Sequence, residues 1–213
     1  MRAVMDRRVH VRSTSQSPSA AYTGKVVFTV WMKSLVLNGH GCAVYDSNGR
    51  LVYRVDNYGT RCSGSVCLMD VDGNIILKVL KKKLAFGRWE GYRWRGEEQE
   101  PRPWFTVARQ CSPFQRRRRS RRPSSSASCE CQSDDTGSVM LYTIITDECL
   151  TGKKGCRIID EATGLVVAEV KRKVTANGVA LGDDVLALGV EPDADESLVM
   201  GLVLVYGLMN HCM

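Results

Sequence analysis

A mostly β fold, an antiparallel sandwich or barrel wrapped around one buried helix, is predicted by three observations. Three stretches read as strand, turn and strand, with Gly in each turn. Their strands are short, alternate apolar with polar residues and follow one another at close intervals, as in antiparallel architectures. Near the C-terminus the apolar run Leu198 to Met209 has no polar face, and a helix apolar all round must be buried on every side. That run is too short for a bilayer, which needs ~20 apolar residues.

The elements follow in chain order. Residues 1–23 are Ser- and Arg-rich, with Arg2, Arg7, Arg8 and Arg12 against the single acid Asp6. They hold no apolar core segment for a signal peptide, and a disordered N-terminal tail is expected, with a transit peptide as the alternative. Phe28-Thr29-Val30 reads as a strand. Gly41 to Val55 is the first strand–turn–strand stretch, with Asn48-Gly49 offering the positive φ angles of a tight hairpin turn. Val66 to Val79 is the second, with Asp72-Gly73 at its turn, and Gly155 to Val170 is the third, turning at Gly164. Further strands are expected near Trp104 to Ala108 and Val139 to Ile145. Phe28-Thr29-Val30 leads to Gly41-Cys42 and Asp46 with the same spacing that takes Tyr142-Thr143-Ile144 to Gly155-Cys156 and Asp160. The match suggests two halves built on one plan. Residues 115–135, Arg-, Ser- and Asp-rich, have too little apolar content to offset the entropy of ordering. They are expected to form a disordered insertion in a single domain of residues 24–213. At the C-terminus Asp193, Asp195 and Glu196 precede the apolar run, with Ser197 near its start, which are helix-start signals. A sheet-core strand is the alternative for so short a run.

Composition narrows the function classes. The chain has 213 residues, 44% of them hydrophobic, and a formal charge of +7. That charge leans toward anionic partners, although much of it lies between Arg116 and Arg122. The nine cysteines are odd in number and irregularly spaced, so reduced thiols in cytoplasm or nucleus are expected rather than a disulfide framework or secretion. His10, His40 and His211 stand in no nucleophile–base arrangement, and an enzyme is not expected. Cys129 and Cys131 have no second ligand pair at zinc spacing and read as solvated thiols. Asp70 to Asn74 begins like a calcium loop but lacks the closing acid near the twelfth position. No metal, cofactor or transmembrane segment is expected, and the protein is expected to be a monomer.

Two basic features carry chemistry. Lys81, Lys82 and Lys83 end the second hairpin, close to Arg88, while Lys171, Arg172 and Lys173 end the third. Cations beside aromatics suit an anionic lipid surface, each contributing ~1 kcal/mol. Lysines at strand ends also serve solubility and edge protection. Arg116, Arg117, Arg118, Arg119, Arg121 and Arg122 form a dense run that suits nuclear import or nonspecific nucleic-acid contact, with Ser120, Ser124, Ser125 and Ser126 able to cancel its charge if phosphorylated.

With these elements placed, several uncommon words stand in order: TVWMKSL from Thr29 to Leu35, YRVDNY from Tyr53 to Tyr58, LMD from Leu68 to Asp70, FGRWEGY from Phe86 to Tyr92 and LVYGLMN from Leu204 to Asn210. From Gly24 to Asn210 the chain resembles the plant LURP-one-related family, which is similar to the tubby C-terminal domain and the phospholipid scramblases. The resemblance implies a closed antiparallel β-barrel of about twelve strands, tubby C-terminal-like, around a central hydrophobic C-terminal helix. It also implies a link to plant defence, with no agreed catalytic motif to carry over. Tubby domains bind phosphoinositide headgroups, so a phosphoinositide, another anionic phospholipid or a protein partner is the expected ligand, with a peripheral place at a membrane. Nucleic acid is the alternative partner. The Arg/Ser insertion after Phe114 departs from the family pattern.

Overall fold

The computed structural model describes residues 24–32, 40–57, 64–82, 87–96, 98–110, 126–133, 137–146 and 155–210. In chain order these form β1 (Val26–Trp31), β2 (His40–Tyr45), β3 (Leu51–Asn57), β4 (Ser65–Met69), β5 (Ile75–Lys81), β6 (Arg88–Arg95), the two-residue β7 (Glu98–Gln99), β8 (Phe105–Arg109), β9 (Ser126–Gln132), β10 (Val139–Thr146), β11 (Cys156–Asp160), β12 (Val166–Arg172), β13 (Val185–Val190) and α1 (Glu196–Met209). Every neighbouring pair is antiparallel. β1 pairs with both β2 and β13, and β5 pairs with β6. β7 pairs with the end of β6, so the other twelve strands close into a ring. Closure removes the unpaired edges that an open sheet exposes. The structure is the mostly β closed barrel that the family resemblance implies, one of the two architectures, sandwich or barrel, that the strand pattern allows.

The hairpins β2–β3 and β4–β5 share one turn, and β11–β12 follows the same plan with one residue more. Each carries a bulge, at Val44/Tyr45, Leu68/Met69 and Ile158/Ile159. Each then has an Asp, at 46, 70 and 160, and a glycine at positive φ: Gly49 at 76°, Gly73 at 91° and Gly164 at 69°. The Asp46 carboxylate accepts the N–H groups of Asn48 and Arg50, both at 2.8 Å, and the Asp46 carbonyl accepts from Gly49 N–H at 3.1 Å. The turn is therefore longer than the tight one that Asn48-Gly49 suggests: a turn followed by a glycine bulge. The aspartate favours it because its carboxylate takes up N–H groups that a plain turn leaves to water.

The internal repeat is visible in the pairing. Thr29↔Tyr45 and Val30↔Val44 join β1 to β2, while Thr143↔Ile159 and Ile144↔Ile158 join β10 to β11. The bulges that follow fall at equivalent residues.

α1 fills the barrel. Residues Leu198 to Gly207 are buried without a break and join one core with inward residues of the surrounding strands. Asp195 caps the helix by accepting from Leu198 N–H at 3.1 Å. The Tyr206 hydroxyl donates to the Gly155 carbonyl at 3.0 Å, and Arg109 donates to the Met209 carbonyl at 2.6 Å. Phe105 lies between the wall and the helix. A Cβ at Gly91 would stand 2.2 Å from its ring, and one at Gly201 would stand 2.5 Å from Leu77 and 2.8 Å from Phe105. Two missing side chains let the helix approach the wall this closely.

One expectation is corrected. Residues 126–132 lie inside the span expected to be a disordered insertion, yet they form β9 between β8 and β10. Ala127, Cys129 and Cys131 point into the core, alternating with Ser126, Ser128, Glu130 and Gln132. Pairing on both sides satisfies the backbone, and small side chains suit a wall close to a filled interior. The two thiols are buried rather than solvated. Burial pushes both up, Cys131 to about 11.

Candidate functional site

Antiparallel order decides which residues share an end of the barrel. The C-terminal ends of β1, β3, β5, β8, β10 and β12 lie with the N-terminal ends of β2, β4, β6, β9, β11 and β13, beside the C-terminus of α1. Both basic groups therefore stand on this one rim. β5 and β12 are on opposite sides of the ring, so the groups face each other across the barrel end rather than forming one patch.

The cations are held by specific partners. Lys81 continues the inward row of Leu77 and Val79, and its ammonium stands 5.6 Å over the Trp89 ring. Glu90 is buried beneath its neighbours. It pairs with Lys82 at 3.0 Å and Arg88 at 3.8 Å, and accepts from the Tyr92 hydroxyl at 2.6 Å. Burial raises the Glu90 carboxyl, but the hydrogen bonds from Tyr92 and Lys82 and the two cations outweigh that and hold it below its ordinary value. The same hydrogen bond pushes Tyr92 up to about 12. Across the ring Lys171 pairs with Glu169 at 2.7 Å, Arg172 pairs with Asp183 at 2.7 Å, and Lys173 donates to the Thr29 hydroxyl. Arg109 adds another exposed cation beside the helix C-terminus. Lys83, Arg116, Arg117, Arg118, Arg119, Arg121 and Arg122 lie outside the described residues.

The sequence reading missed an apolar feature of this rim. Between β12 and β13 the chain makes a small hairpin, bridged at Val174↔Ala180. It exposes Val174 at 54%, Val179 at 62% and Leu181 at 49%. Trp31, 37% exposed, stands at its base and donates to Asp184 at 3.2 Å. The run from Val174 to Leu181 alternates too weakly to read as a strand, so only its position beside Lys171 to Lys173 could have marked it.

The opposite end is acidic. It carries the turn residues Asp46, Asp70 and Asp160, together with Glu191, Asp193 and Asp195 ahead of the helix. Here a cavity of about 810 Å³ opens beside the first turns of α1. The Arg93 guanidinium lies 3.6 Å over the Trp104 ring and pairs with Asp195 at 3.0 Å.

With the ring, the central helix and both rims described, comparison with known proteins is specific. The family model described as LURP-one-related matches residues 26–207. The chain belongs to the LURP-one-related family. Protein LURP-one-related 4 of Arabidopsis thaliana is 40% identical over 204 residues, covering 95% of this chain and 86% of that protein. Protein LURP-one-related 8 of the same plant is 34% identical over 207 residues, covering 95% and 97%. An X-ray structure of an Arabidopsis thaliana protein matches with a TM-score of 0.52 at 14% identity, covering 87% of this chain and 91% of that one. That likeness concerns the fold alone. Among the described residues of this LURP-one-related chain, no helix is long and apolar enough to cross a membrane.

Proposed function

We propose that this LURP-one-related protein is a non-enzymatic binding module that docks its basic rim on an anionic phospholipid surface, with phosphoinositide as the favoured headgroup. The observation that carries this reading is the union of cations and exposed apolar side chains at one barrel end. Lys81, Lys82, Arg88, Arg109, Lys171, Arg172 and Lys173 surround it, and Val174, Val179 and Leu181 project from it. Interfacial binding adds apolar burial to attraction for anionic lipid, and this rim offers both. The acidic opposite end favours the same orientation, because it is repelled by the leaflet. The several carboxylates paired with these cations reduce the net attraction, so the apolar hairpin shares the load. The resemblance to a plant defence-linked family supplies the setting, peripheral membrane signalling.

Co-sedimentation with phosphatidylcholine vesicles, with and without phosphatidylserine or phosphoinositide, tests the reading. Binding should require the anionic lipid and fall as salt is raised. Replacing Lys81 and Lys171 together by Gln should weaken it about tenfold, with little change in stability because exposed charges contribute little. Absence of binding at low ionic strength would leave a protein partner as the ligand of this rim.

A second reading has its own support. Gln110 N–H donates to the Ser126 carbonyl at 2.9 Å, so the segment holding Arg116–Arg119, Arg121 and Arg122 leaves and rejoins the barrel at the basic rim. Nucleic-acid binding through that run would show a steep loss with salt and little sequence preference.

A further inference from the structure

The cavity at the acidic end has no part in the docking reading. α1 begins at Glu196, and beside its first turns the described residues line an open cavity. The cavity of about 810 Å³ lies within the ~300–1,000 Å³ of small-molecule sites. Ile158, Val167, Leu198 and Leu202 supply an apolar floor. Two further lining residues, Met140 and Leu165, are large apolar side chains left 37% and 67% exposed at its lip.

The charge around the opening is negative. Asp160, Glu191, Asp193 and Asp195 line it, against Lys25 and Arg93. Lys25 is engaged by Glu191 at 2.6 Å, and Arg93 by Asp195 at 3.0 Å. Asp160 holds its own turn, accepting from Ala162 N–H at 2.9 Å, and Asp193 is exposed. Arg93 shows how the opening accommodates a cation: its guanidinium is stacked on Trp104 and faces a carboxylate, the arrangement that favours cations over anions. Tyr142, also in the wall, is pushed up by burial first and then by neighbouring negative groups that include Asp160 and Asp195.

We propose that this mouth binds a small cationic amphiphile, its apolar body on the Leu198 and Leu202 floor and its ammonium head at the Asp193 side of the rim. An anion of the same shape is rejected by the carboxylates, and a purely polar cation gains nothing from the floor. The site lies at the opposite end from the basic rim, so it stays open to solvent when that rim is docked.

Calorimetric titration of the full chain with decyltrimethylammonium, below its micelle concentration, tests the proposal against tetramethylammonium, which has the same head and no apolar body and is not a ligand of the basic rim. One decyltrimethylammonium per chain should bind, at least about tenfold more tightly than tetramethylammonium. Asp193→Asn should weaken decyltrimethylammonium about fivefold, as loss of a partly exposed charge pair does. Leu165→Ser should weaken it by a similar factor through lost apolar contact. Both residues are exposed, so neither change threatens folding, and a thermal melt of each variant checks this. Equal binding of the two probes, no binding of decyltrimethylammonium, or binding indifferent to both substitutions would overturn the proposal.

Discussion

At the residue scale, the tightest constraint is the absence of a side chain at Gly201. Alanine there should favour the helix by ~1 kcal/mol through propensity alone. Its Cβ, however, would fall 2.5 Å from Leu77 and 2.8 Å from Phe105, and both side chains are fully buried with nowhere to retreat. Overpacking costs ~1–3 kcal/mol, so the steric effect wins and Gly201→Ala should lower stability in urea unfolding. A rise in stability would show that helix and wall are further apart. Glu90 makes a second prediction. Its carboxyl is held below the ordinary value in the folded protein. It therefore contributes stability that is full above the ordinary glutamate pKa and is lost as pH falls through the depressed folded value. Glu90→Gln should flatten the acid limb of a stability–pH profile and leave its neutral-pH slope unchanged. An unaltered acid limb would remove Glu90 as the coupling group.

At the element scale, α1 and β9 show what sequence can and cannot reveal. α1 was legible because uniform apolarity at sub-membrane length admits few physical solutions. Leu204→Asp should abolish soluble folded protein, since an unpaired buried charge costs several kcal/mol, and expression followed by circular dichroism reads the result. The hairpins were legible through alternation and their glycines, although the role of Asp46, Asp70 and Asp160 in lengthening the turns was not, because it depends on side-chain hydrogen bonds. β9 was illegible by composition: Ser126, Ser128 and Glu130 resemble the Arg/Ser run before them. Only the small inward row of Ala127, Cys129 and Cys131 marks a strand, and that row is apolar enough only because both neighbours and the helix close around it. Deletions distinguish the two parts. Removing residues 111–125 with a short Gly/Ser join should leave the melting temperature nearly unchanged, as loop closure varies slowly with length. Removing residues 115–135 takes out β9, opens the ring between β8 and β10, and should unfold the protein.

At the scale of the whole molecule, the barrel separates charge: bases where the helix ends, acids where it begins. The sequence showed the basic groups but not their arrangement, because antiparallel order, not spacing, sends β5 and β12 to one rim and to opposite sides of it. The exposed hairpin beside Lys173 and the cavity beside Leu198 were hidden for the same reason, since each is assembled from residues far apart in the chain. The orientation this arrangement dictates can be measured directly by tryptophan quenching on anionic vesicles that carry a headgroup nitroxide. Trp31 is exposed and Trp89 is buried at the basic rim, while Trp94 and Trp104 lie at the acidic end. Docking by the basic rim predicts that the nitroxide quenches part of the emission and that Trp31→Phe lowers that part, leaving the share of Trp89, while vesicle binding persists. Quenching that survives Trp31→Phe undiminished, or bound protein with no quenching at all, would contradict docking through this rim.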